Sequence, residues 1–279
     1  MFIELEDVTL NVRDGGGAGE PVVLLHGWPD TGDLWRHQMP ALTAAGFRPI
    51  APDLRGFGES SRPLPVESYS AAALVGDVVG LLDKLGIERA HLVGHDWGAA
   101  IAWMVAALAP QRCTSVTALS VGHPQAFRRA GWAQREKSWY MLLFQFPGVA
   151  EEWLRADDFR NLREWSAHPD IDAVAARFAD PDALTASLNI YRAILPPGSL
   201  IAEPMALPPV SAPALLLWSS GDLALTEEQM TGSTTYLAGP WRYERLDGVG
   251  HWMQLEVPEP VNTLLLDFLG QHRMLALTP

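Results

Sequence analysis

Gly94-His95-Asp96-Trp97-Gly98 is the stretch from which the rest of the chain is best read. An apolar run, residues 90–93, leads into it, and an Ala-rich helical stretch follows it as far as Pro110. Small residues at both ends permit a strained turn between a strand and a helix. Such a turn projects its central side chain at the carboxyl edge of a sheet, where open α/β folds bind ligands. An Asp between small residues is, taken alone, a turn residue or a helix N-cap. With a strand before it and a helix after it, Asp96 reads instead as a nucleophile held at an elbow.

Working outward, strand and helix patterns alternate. Residues 22–25 form an apolar strand that breaks at His26-Gly27-Trp28-Pro29. A helix is expected over 35–45, a strand over 47–51, a Gly-rich turn over 53–60 and a helix over 70–85. Beyond the elbow, strands are expected at 115–120, 214–218 and 241–246, with a closing helix over 258–269. This alternation predicts a doubly wound, mostly parallel sheet of the α/β class. Residues 2–13 alternate and are expected as one strand, and the glycines of 14–19 as a hairpin turn or short loop. Those glycines are not a phosphate cradle, because Glu20-Pro21 stands where a Lys and a Ser or Thr would be needed. Between His123 and Pro213 helical segments rich in Trp, Phe and Arg replace the alternation, which predicts an inserted helical cap. The expected domains are a core of 1–122 and 213–279 and a cap of 123–212, with no internal repeat.

An elbow nucleophile needs an acid after a later strand and a histidine near the C-terminus, in that order. Asp222 ends Ser219-Ser220-Gly221-Asp222 after the strand at 214–218. His251 lies in Gly248-Val249-Gly250-His251-Trp252 after the next strand. A carboxylate, with a pKa near ~4, is ionised at neutral pH and can attack an electrophilic sp³ carbon without a base. His251, oriented by Asp222, is then free to activate water against the resulting ester. The oxyanion formed on Asp96 would be met by the backbone N–H groups of Trp28 and Trp97. A bulky Trp218 stands near the acid. His91 and His95 would lie about 13 Å apart on a strand, too far to share a metal ion, so no metal and no cofactor is expected. Structural hydrogen-bonding roles are expected for His26 and His123.

His26-Gly27-Trp28-Pro29, the octapeptide Asp53-Leu54-Arg55-Gly56-Phe57-Gly58-Glu59-Ser60, and the elbow followed by Ala99 resemble the motifs of epoxide hydrolases of the α/β-hydrolase fold, over nearly the whole chain. That resemblance implies two cap tyrosines that bond the epoxide oxygen and donate a proton as the ring opens. The segments around Trp139-Tyr140-Met141 and Ile190-Tyr191-Arg192 resemble the two that carry them, which points to Tyr140 and Tyr191. Substrate contacts are expected from Trp97 and Phe144, with the pocket shaped by Trp132, Phe144, Phe146 and Phe178. Haloalkane and haloacetate dehalogenases resemble the same core. The haloalkane enzymes commonly carry Asn where Trp28 stands, or a cap Trp, a place open to Trp132, Trp139, Trp153 or Trp165. The haloacetate enzymes carry Arg after the nucleophile and on the next helix, and residues 97–109 have none. A non-catalytic small-molecule receptor of this fold is the remaining alternative, against which stands the completeness of the catalytic set.

The composition agrees with a small-molecule hydrolase. A formal net charge of −13 repels phosphate backbones and anionic bilayers, which argues against nucleic acid and membrane partners. A small neutral apolar epoxide and water are the expected partners, and a homodimer is compatible. The single Cys113 excludes an internal disulfide and a cysteine-rich zinc site and is expected to be buried at a strand start. The N-terminus lacks the pattern of a signal peptide, and no apolar run reaches the roughly 18 residues of a membrane span, so a cytoplasmic location is expected.

Overall fold

The computed structural model describes residues 1–203 and 206–273. Strands β1 (Phe2–Glu4), β2 (Thr9–Asp14), β3 (Glu20–Leu25) and β4 (Phe47–Pro52) are followed by β5 (Ala90–His95), β6 (Cys113–Leu119), β7 (Ala214–Ser219) and β8 (Trp241–Leu246). They form one sheet in the order β1-β2-β4-β3-β5-β6-β7-β8. The pairings β1 with β2 and β2 with β4 are antiparallel, and the others are parallel. This is the expected α/β class with a mostly parallel sheet.

Strand order reverses at β3. The chain steps outward to β4 and then returns to place β5 on the other side of β3, with Leu25 in register with Gly94. The carboxyl ends of β3 and β5 are therefore neighbours at a topological switch point, the place where such sheets leave a crevice. That alone brings the Gly27-Trp28 loop beside Asp96.

Helices α1 (Gln38–Ala44), α2 (Ala71–Lys84) and α3 (Trp97–Leu108) cross between the first strands. In α2, Leu74, Val78, Leu81 and Leu82 repeat on one face and are buried, and the Ser70 side chain caps the N-terminus by accepting from Ala73 N–H at 3.3 Å. Almost all of α3 is buried, as its Ala-rich composition requires for a helix lying close over the sheet. Helices α4 (Pro124–Arg129), α5 (Trp132–Lys137), α6 (Trp139–Leu143), α7 (Val149–Ser166, kinked through 156–159), α8 (Ile171–Phe178) and α9 (Pro181–Ile194) all lie between β6 and β7. Helices α10 (Glu227–Thr231), α11 (Met253–Glu256) and α12 (Pro258–Gln271) complete the chain. Residues 204–205 and 274–279 of the expected cap and core ranges lie outside the described residues.

Three local expectations change. Residues 2–13 form two strands, because the chain turns at Glu6-Asp7, where Leu5 N–H donates to Val8 O at 2.8 Å. The glycines of 14–19 are a loop and not a hairpin, since β2 pairs with β4 and not with β3. The helix expected from Trp35 begins at Gln38, after a 3₁₀ turn over Gly32–Trp35. Cys113 is buried at the first position of β6, as expected. Among the described residues no helix is long and apolar enough to cross a membrane.

Candidate active site

Asp96 sits between β5 and α3 with φ 52° and ψ −121°, a conformation that costs an L residue about 1–3 kcal/mol. Its neighbours have to be small. A Cβ on Gly98 would stand 2.0 Å from Leu25 O, and one on Gly27 would stand 2.3 Å from Asp96 Oδ1. With glycine at both positions, the backbone of the β3 loop closes onto the carboxylate. Trp28 N–H donates to Asp96 Oδ1 at 2.9 Å, and Trp97 N–H donates to the same carboxylate.

Asp222, after β7, and His251, after β8, meet at this point. His251 Nδ1 is 2.8 Å from Asp222 Oδ2, and its Nε2 is 3.9 Å from Asp96 Oδ2. The first pair fixes the tautomer, with Nδ1–H donating and Nε2 facing Asp96. Asp222 Oδ1 accepts from Ala224 N–H at 2.8 Å and Leu225 N–H at 2.9 Å. The His251 carbonyl is itself held, by His95 Nε2 at 3.0 Å and Ser120 Oγ at 3.1 Å. All five groups converge from the carboxyl ends of four parallel strands, although 155 positions separate Asp96 from His251 (251 − 96).

Burial dominates the electrostatics. It pushes the Asp96 carboxyl up to about 6, against the pull of His251 and the two backbone donors. Burial works against a charge on His251 too, but the Asp222 carboxylate and then Asp96 outweigh it, and the imidazole is raised. Asp222 falls below the usual carboxylate range because the His251 pair and two N–H donors overcome its own desolvation. Tyr140 and Tyr191, both buried, are raised well above a normal phenol by desolvation and by the negative charge of Asp96. They remain protonated, as a proton donor must.

Helices α6 and α9 carry these tyrosines into one cluster. Their rings lie 6.1 Å apart, and Tyr191 stands edge-on to Trp97 at 5.0 Å. The hydroxyls are hydrogen-bonding partners, and the Trp97 indole N–H is directed to Tyr191. Arg192 ties the two helices together through Phe144 O at 3.0 Å and Glu151 at 2.9 Å.

Asp96 and Trp97 also line a cavity of about 320 Å³ with apolar walls. Phe144 is not on that wall. It is fully buried in an aromatic cluster, 5.3 Å from Trp28 and 5.1 Å from Tyr191. Trp132 and Phe146 are exposed on the outside, 69% and 54%, and cannot shape the cavity, which is lined instead by side chains such as Met104, Val121, Phe127 and Leu225. The octapeptide at 53–60 is a structural hub, in which Asp53 accepts from Gly32 N–H, Arg13 and Asn11, and Arg55 is paired to Asp77 at 2.6 Å. His26 bridges neighbouring loops by accepting from Leu54 N–H at 2.9 Å, and His123 accepts from Gln125 N–H at the start of α4. Trp218 braces the acid loop through Leu225 O at 3.3 Å. Among the described residues no group of three or more His, Cys, Asp or Glu could hold a metal ion.

Two features had no signal in sequence. Buried Asp30 accepts from His168 at 3.0 Å and from the Trp252 indole at 2.9 Å, joining the loop between α7 and α8 to the residue beside His251. Buried Gln134 on α5 accepts from Thr226 N–H and donates to Ala224 O, both at 2.8 Å, and Lys137 donates to Asp222 O, so α5 clamps the acid loop. An Asp after a proline, or a Gln in a short helix, reads as a solvated turn or surface residue.

Comparison with known proteins sets this geometry in context. The family model described as the alpha/beta hydrolase fold matches residues 20–258. The chain is 35% identical to "Epoxide hydrolase A" of Mycobacterium tuberculosis (strain ATCC 25618 / H37Rv), with 96% of each chain covered. It resembles the crystal structure of epoxide hydrolase A from Mycobacterium thermoresistibile at 33% identity and a TM-score of 0.84, with 98% of each chain covered. A Bacillus megaterium epoxide hydrolase solved with an inhibitor is 28% identical with a TM-score of 0.86, covering 97% of this chain and all (100%) of that one.

Proposed function

The chain belongs to the alpha/beta hydrolase family and is an epoxide hydrolase within it, and from that premise we propose that Asp96 opens the ring and that His251 frees the product. The observation that carries this is the division of labour between the two carboxylate oxygens. Oδ1 accepts from Trp28 N–H at 2.9 Å, while Oδ2 faces His251 Nε2 across 3.9 Å.

Asp96 Oδ2 attacks one ring carbon, the bond from that carbon to the ring oxygen breaks, and the oxygen, still held by the other carbon, takes a proton from the Tyr140 and Tyr191 pair, leaving a tyrosinate and an alkyl ester. Ester formation removes the Asp96 charge that helps to raise His251, so the imidazole pKa falls and the ring is neutral, available to take a proton, when a base is needed. His251 Nε2 takes a proton from water, and the hydroxide adds to the ester carbon. The oxyanion forms on Oδ1, against the N–H groups of Trp28 and Trp97. Collapse expels the second diol oxygen, which takes the proton held by His251. The regenerated carboxylic acid returns its own proton to the tyrosinate, so one epoxide and one water give one vicinal diol. Asp222 orients the base throughout.

Residues 123–212 act here as the cap, supplying the tyrosines over a core of 1–122 and 213–279. The substrate is a small neutral epoxide. A halide-releasing reading loses support, because the Trp97 indole N–H is directed to Tyr191 and the Trp28 indole donates to Ser187 at 3.1 Å.

A single turnover in heavy-oxygen water is expected to give unlabelled diol, with the label retained on Asp96, because the first transferred oxygen is Oδ2. Label in the first diol would mean direct attack by water and sink the ester mechanism. The rate of ester formation in single-turnover mixing is also expected to fall as pH is lowered through about 6, since only ionised Asp96 attacks and burial holds its carboxyl there. A rate still flat well below that value would mean that burial does not raise the Asp96 carboxyl.

A further inference from the structure

The space beside Asp96 is one-sided. In one direction lies the 320 Å³ cavity, with Asp96 and Trp97 at its base and Met104, Val121, Phe127, Ile194 and Leu225 along its walls, a size suited to a phenyl or medium alkyl group. On the Trp28 side there is packing. Trp28 stacks on Phe178 at 5.9 Å with an interplanar angle of 30°, and lies 5.3 Å from Phe144 and 6.1 Å from Trp165. Phe144, Phe178 and Trp28 are 0%, 3% and 4% exposed, so no apolar void remains among them. Behind Phe178 is a second cavity of about 200 Å³, more polar than the first, whose walls carry the charged Asp30, Glu59, Arg62, Arg177 and Asp180 beside Pro29, Phe57 and Ala183.

Resting on the epoxide hydrolase reading above, we propose that this enzyme takes terminal epoxides bearing one apolar substituent, and that the Trp28 and Phe178 stack excludes trans-disubstituted ones. The ring oxygen is tied to the tyrosine pair and the attacked carbon to Asp96 Oδ2, so the oxirane has little freedom to rotate. In a trans-disubstituted ring the two groups leave opposite carbons on opposite faces. If one enters the cavity, the other is driven into the aromatic stack, where close packing gives it no room. A terminal epoxide presents only hydrogens on that side.

The test compares kcat/KM for 1,2-epoxyoctane and its isomer trans-4,5-epoxyoctane, which differ in shape and not in composition. The terminal isomer is expected to be favoured by about 100-fold or more. Phe178→Ala, in α8, is expected to narrow that ratio by raising turnover of the trans isomer while 1,2-epoxyoctane is still hydrolysed. Phe178→Leu, a milder truncation, is expected to do so to a smaller degree and keeps the test available if the alanine variant does not fold. Comparable kcat/KM for the two isomers in the unmodified enzyme would overturn the one-sided pocket and leave the hydrolase reading standing. Turnover of neither isomer would overturn both. Folded Phe178 variants with an unchanged ratio would overturn the role of the stack.

Discussion

His251→Gln is expected to open epoxides and then stop. Added to this variant, styrene oxide should raise the intact protein mass by one substrate, while diol formation falls by about 10²–10⁴-fold. The two steps draw on different groups. Ring opening needs the Asp96 charge, Oδ2 and the tyrosine protons, and the imidazole takes and gives no proton in that step. Ester hydrolysis needs a base at Nε2, which Asp222 aims at the site through its 2.8 Å bond to Nδ1. Glutamine keeps a polar side chain of similar size but accepts no proton. His251 also holds down the pKa of Asp96, so its loss lets the carboxyl rise further and ring opening in the variant is best measured above neutral pH. Continued diol release, or the absence of an adduct, would remove His251 from the second step.

Replacing Tyr140 and Tyr191 together by Phe is expected to have an effect of similar size on the first step. Without a proton the leaving group is an alkoxide, and positioned acids of this kind are worth about 10²–10⁴-fold. Either single variant should keep part of the activity, since the hydroxyls are partners and one can serve the oxygen alone. The double variant should fold normally. Its rings keep their contacts with Phe144 and Trp165, and although the two hydroxyls that bond each other leave together, the buried Trp97 indole N–H loses its Tyr191 partner, at about 1–3 kcal/mol. The readout is ester formation in a single turnover, with a cooperative thermal unfolding transition as the control for folding. Ring opening at the original rate in a folded double variant would remove both residues from the chemistry.

The two experiments separate the parts of the site that sequence indicates from different kinds of signal. Asp96 directly follows the apolar β5, Asp222 lies three residues after the apolar β7 and His251 five residues after the polar edge strand β8, and a parallel sheet brings all its carboxyl ends to one edge. Strand order then suffices to predict that they meet. Tyr140 and Tyr191 carry no such local signature. A tyrosine in an aromatic helix is normally core, and only resemblance singles these two out. Phe144 shows the weakness of that route, because the same aromatic segment that presents Tyr140 packs Phe144 behind it, out of the cavity. Similarly, the turn at Glu6-Asp7 could be missed because alternation continues on both sides of it, and only the antiparallel pairing of β1 with β2 shows where the first strand ends.

Local chain chemistry determined the elbow, the strand ends that carry acid and base, and the α/β class, because these depend on glycine, on apolar runs and on the order of elements along the chain. Tertiary structure alone decided which oxygen of Asp96 meets Trp28 N–H and which faces His251, that Asp30 joins His168 to Trp252 across 138 and 222 positions, and that Gln134 clamps the loop of Asp222. Those facts depend on how side chains distant in sequence fill a shared volume, and no short stretch of sequence encodes that volume.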